Sequence, residues 1–167
     1  TVDDLAILNL GFSISMIIFQ IPAGKLTDKI GIKKSLILSI SIGLIIYPLN
    51  IIAWVIWSYG NTSVLIPLLF ISTLLWGATA STFIPSEASI LTSLGDSRKG
   101  EKFGWVHAVR GFGGIPTGVI GGFLMEYVHF LTPFIITTIG VAVEVWFIVK
   151  YGKFFQKSED IAYSTKK

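Results

Sequence analysis

Cysteine is absent from the 167 residues. That removes disulfides, thiolate metal sites and a cysteine nucleophile, and it leaves the redox compartment open. Charge is also scarce: Asp, Glu, Lys and Arg make up 14% of the chain, against about 25% in ordinary soluble domains. A water-soluble body of this size with so few charges would expose large apolar patches. A soluble enzyme, a disordered tail and a nucleic-acid binder are therefore disfavoured together. Enzyme signatures are missing as well. The 2 histidines stand far apart, and there is no His-Glu-x-x-His, no serine nucleophile elbow and no phosphate-binding loop. No catalytic residue, metal site or cofactor is expected, and no ring-forming channel filter is evident.

What is present is apolar. Hydrophobic residues make up 52% of the chain and the mean hydropathy is +0.74. A helix needs roughly 20 mostly apolar residues to cross a hydrocarbon core. Five stretches meet that requirement: 5–23, 35–57, 64–94, 103–125 and 130–149. The third contains Pro67 and Pro85 and is expected to kink or tilt. The fold class read here is all-α, a polytopic helical membrane protein. It has a bundle over 1–152, a turn near 126–129 and a polar tail over 153–167.

Basic residues give the orientation, because they are retained on the cytoplasmic side. They fall in the first connector (Lys25, Lys29, Lys33, Lys34), the third (Arg98, Lys99, Lys102) and the C-terminal segment. Arg110, inside the fourth span, is the exception. The alternation predicts an N-terminus outside the cell membrane and a cytoplasmic C-terminus. The net charge of +3 then reflects topology and contact with anionic lipid. It does not imply nucleic acid.

The first connector runs Gly24-Lys25-Leu26-Thr27-Asp28-Lys29-Ile30-Gly31-Ile32-Lys33-Lys34. Gly24 at a helix end permits close backbone approach, and Gly31 permits a sharp reversal. Asp28 can accept hydrogen bonds from the free N–H groups of a nearby helix start. Lys33 and Lys34 hold the next helix at the interface. By its charges alone this is an ordinary basic hairpin loop.

The order of its residues resembles the signature loop of the major facilitator superfamily, Gly-x-Leu-(small)-Asp-(basic)-x-Gly-(basic)-(basic). Gly24, Leu26, Asp28, Lys29, Gly31 and Lys33 match; Thr27 takes the small position, and Ile32 replaces a common basic residue. The resemblance implies that this loop helps lock one conformation through contacts between helix bundles. The fourth span, from Arg110 to Gly122, resembles the family's glycine-rich fifth or eleventh helix. It does not match the antiporter pattern, because Pro116 is displaced. The arginine of a fourth helix is missing too: Thr73 stands four before Gly77. The resemblance therefore favours helices eight to twelve of a C-terminal half over helices two to six. A family member needs about twelve helices, so the chain is expected to be a fragment completed by missing helices.

Intramembrane charges are functional candidates because they are costly to bury. Glu87 and Arg110 stand at similar depth on antiparallel spans, which predicts an ion pair that braces the hairpin or gates transport. Glu144 either snorkels to the interface or lines the cavity and takes up a proton. Gly114, Gly118 and Gly122 mark one helix face suited to close packing. Gln20, Asn9 and Asn50 suit hydrogen bonds across helices or to substrate, and Trp76 can stack on a substrate or pack against lipid. Trp54 and Trp57 read as interface anchors, and His107 as a lining residue. The resulting expectation is part of a secondary transporter moving a small solute by alternating access, with or without a proton or sodium co-ion. The alternatives are a non-transporting membrane subunit or assembly factor and, more weakly, a membrane-embedded enzyme.

Overall fold

The computed structural model describes residues 2–60, 63–93 and 98–152. They form five long helices: α1 (Val2–Ile30), α2 (Ile32–Ser58), α3 (Leu65–Ser93), α4 (Lys99–Phe123) and α5 (Thr132–Tyr151). A π-helical turn, Leu124–Val128, continues α4. The segment 94–97 and the tail 153–167 lie outside the described residues. In lipid each backbone N–H and C=O must find its partner within the chain, and a helix does this locally. Helices α1, α2, α3 and α5 are each long and apolar enough to cross a membrane. Helix α4 has comparable length but carries Glu101, Lys102, Arg110 and many glycines, and it falls short of that composition.

Two connectors are tighter than the sequence alone leads one to expect. Helix α1 runs through Lys25, Thr27 and Lys29 to Ile30, because none of these side chains opposes a helix that emerges from the apolar layer. Gly24 consequently sits inside a helix, with nothing within 4 Å of the place a methyl would take, and it makes no close approach. The whole reversal falls on Gly31, whose φ of 87° and ψ of 159° lie in a region open essentially to glycine alone. At the other end of the bundle, Glu126 to Val128 are helical and the chain turns at His129, whose backbone is extended. Helix α3 also continues through Pro85 without a break.

Helix α3 is the hub. It packs along both α1 and α2, α2 packs on its far side against α5, and α4 meets α3 only lightly. Consecutive helices α1 and α2 touch little. Small residues are prominent in the contacts: Ser15, Ser35, Ser39, Ser81 and Ser86 are fully buried, as is Ile46, and Leu36, Ile40 and Leu91 are nearly so. A Cβ on Gly77 would lie 2.5 Å from Ser15 Cβ and 2.6 Å from the Phe12 carbonyl oxygen, so α1 and α3 cross there with no space to spare. At one end of the bundle the Lys33 stem lies against Gly152, which brings the start of α2 to the end of α5. At the other end Trp54 meets His129 at 5.2 Å and Phe130 at 6.1 Å.

Alanine is a better helix former than glycine by about 1 kcal/mol, yet Gly77→Ala is expected to destabilise the bundle. The added methyl meets backbone, and overpacking of this kind costs about 1–3 kcal/mol. Thermal unfolding in detergent checks the sign; an unchanged or raised midpoint would contradict the tight crossing.

Candidate functional site

The candidate site is built at the end of the bundle where Gly31 joins α1 to α2. Lys29 occupies the last turn of α1, where a cation complements the helix dipole. Asp28 is exposed, and the N-cap position of α2 is Gly31, which has no side chain of its own to cap the helix. Leu26 and Lys34 are exposed as well, while Lys33 is partly covered by its stem contact with Gly152.

The inward-facing member of the loop is Thr27, 3% exposed, which in the sequence is no more than a tolerable small residue. Its hydroxyl donates to the Ala23 carbonyl at 3.0 Å and lies 2.7 Å from the Ser35 hydroxyl of α2. Ser86 of α3 donates to the same Ser35 hydroxyl at 2.8 Å. Three hydroxyls thus connect the end of α1, the start of α2 and α3 in a buried place. The available signal was the position of Ser35 one turn into α2 and of Ser86 beside a charged residue, each embedded in apolar sequence.

That charged residue is Glu87. Arg110 of α4 donates to its carboxylate, forming an ion pair between side chains that are 17% exposed for Glu87 and 50% for Arg110. The guanidinium also lies over the Phe83 ring, 5.7 Å from its centroid. Glu87 and Glu144 line one cavity of about 260 Å³ between α2, α3, α4 and α5. Glu144 makes no hydrogen bond or ion pair among the described residues, although Tyr47 lies within electrostatic reach. Lys150, one and a half turns further along α5, sits over the Trp146 ring at 4.7 Å instead of reaching back to Glu144.

The remaining candidates do not converge on that cavity. Gly114, Gly118 and Gly122 are exposed, and nothing lies within 4 Å of the space a methyl would fill on any of them. Gln20 and Asn9 are exposed on α1, and Asn50 is half-buried on α2. Trp76 packs edge-on against Tyr47 at 6.2 Å, which ties α3 to α2. His107 stacks on Phe103, one turn earlier in α4. The close-packed glycines missed from sequence are Gly11 and Gly77; Gly77 forms a small-residue face with Ser81 one turn on, as Gly114 and Gly118 do.

Compared with known proteins, the chain matches the family described as Major Facilitator Superfamily over residues 1–159. No curated relative and no solved structure matches it.

Because Glu87 and Arg110 answer one another, neutralising either alone strands the other in an apolar setting. Glu87→Gln or Arg110→Gln is expected to lower stability more than the two together. The expected coupling is about 0.5–3 kcal/mol, read from a double-mutant cycle of unfolding midpoints in detergent. Additive losses would mean that the pair contributes nothing as a pair.

Proposed function

Because the chain belongs to the Major Facilitator Superfamily, a family of membrane transporters, we propose that it forms part of a secondary transporter moving a small solute by alternating access. The observation that carries this reading is the Gly31 reversal. A glycine-only backbone conformation joins two long apolar helices inside a basic loop that has the order of the family's signature. The loop is the conformational lock in this reading. Gly31 sets the angle, Thr27 ties the loop inward to α2 and α3, and Asp28 with the exposed lysines faces outward for contacts with a second helix bundle.

The orientation consistent with the basic residues is a cytoplasmic loop and C-terminus in the cell membrane. Helices outside this chain complete the bundle, and the uncovered glycine face of α4 is where close helix contact costs least. Gln20, Asn50 and Trp76 are the proposed additional contacts for solute. A proton or sodium ion is a compatible driving ion.

Solute counterflow into proteoliposomes containing the intact protein tests the reading. Saturable uptake of at least one solute class is expected. Gly31→Ala, strained by about 1–3 kcal/mol, should slow exchange roughly tenfold while solute still binds. Absence of flux for every class tested would favour the non-transporting subunit or assembly factor.

A further inference from the structure

The cavity between α2, α3, α4 and α5 is apolar except at Glu87 and Glu144. The two carboxylates are not equivalent. Glu87 holds the Arg110 guanidinium, whereas Glu144 holds no cationic partner among the described residues. One guanidinium therefore serves two carboxyl groups, and Glu144, exposed at the edge of the apolar space, is left without a counter-charge among the described residues. The cavity wall already accommodates a cation in a particular way, since the Arg110 guanidinium sits between a carboxylate and the Phe83 ring face. Arg110 already takes that ring and Glu87, which leaves Glu144 as the carboxyl group open to a second cation.

We propose that this cavity binds a small organic monocation, with its charge answered by Glu144 and its apolar part against Leu36, Phe83 and Ile148. The chemistry of the wall suits the other classes less well. An anion or a zwitterion's carboxylate would meet a second negative charge. A bare metal cation needs about six or more oxygen ligands, and the wall offers one uncommitted carboxylate with no other polar side chain. A proton alone would neutralise Glu144 without using the apolar wall. That this cation is the solute carried rests on the transporter reading above; that it binds does not.

The probe is benzyltrimethylammonium, whose charge is permanent, measured against its neutral carbon isostere and against benzoate. The protein is the intact polypeptide in nanodiscs. Saturable binding of the cation is expected, about tenfold or more tighter than the isostere, with no competition by benzoate. Glu144→Gln should weaken it about tenfold, whereas Glu144→Asp should keep affinity close to that of the unsubstituted protein. In the unsubstituted protein, bound cation should protect Glu144 from a membrane-permeant carbodiimide, as read by mass spectrometry, so the test does not depend on the variant folding. No saturable binding, equal affinity for the isostere, an unchanged Glu144→Gln variant, or no protection each overturns the proposal. Cation binding without flux would sustain the site and count against the transporter reading. Flux of another solute without cation binding would do the reverse.

Discussion

The close approach of α3 to α1 and α2 is the constraint on which the other contacts depend. Between apolar helices in lipid there is no hydrophobic gain from association, so contact must come from packing and from hydrogen bonds that cross between helices. Both require short side chains. Gly77 lets the α1 backbone come within van der Waals distance, and Ser15 then reaches the Leu74 carbonyl at 2.6 Å. On the opposite flank of α3, Ser86 reaches Ser35 across to α2. Many large apolar residues face the other way, with Ile17, Ile21 and Phe112 all more than half exposed, while Leu36, Ile40, Ile46 and Leu91 are buried beside the hydroxyls. This arrangement differs from that of a water-soluble domain, with much of the apolar bulk outside and hydroxyls among the most buried side chains.

Among the described residues helix α4 shows no such seam. It meets α3 through the Arg110–Glu87 pair, with Phe83 beneath the guanidinium. Its glycines are open on every face the described residues can reach. The cavity exists for the same reason. Where α4 stands off from α3, the space is bounded by Val106 on one side and by Ile148 on the other.

Much of the architecture was legible because it derives from composition. The apolar runs set the helices, and the family signature could be read from the order of Gly24, Leu26, Asp28 and Gly31 alone. Gly31 was legible in its role because only one residue type tolerates that backbone. Gly24 was not, since a glycine in a motif looks the same whether it ends a helix or lies within one. The packing seams were obscured for a similar reason. Gly114, Gly118 and Gly122 stand out by being all glycine, whereas the faces that pack, Gly11 with Ser15, Gly77 with Ser81 and Ser39 with Gly43, mix glycine with serine at the same four-residue spacing. Spacing identifies a face that can pack; only the neighbouring helix decides whether it does. The asymmetry between Glu87 and Glu144 was hidden too, because it depends on which one Arg110 reaches.

The two kinds of link at the Gly31 end differ in how they respond to displacement. The Thr27–Ser35–Ser86 contacts use the shortest hydroxyl side chains, so a relative shift of about 1 Å takes them beyond hydrogen-bond range. The Glu87–Arg110 contact uses two long side chains with many rotatable bonds, which accommodate several ångströms of movement without losing the charge interaction. Ser86 and Glu87 are adjacent in α3, so the stiff link and the compliant link share one attachment point. The loop, α2 and α3 are thereby fixed to one another at that end, while α4 is tethered at a distance that its side chains can vary. The cavity therefore has two walls, α2 and α3, fixed to one another and one compliant wall, α4, and Glu87 lies where the compliant wall begins.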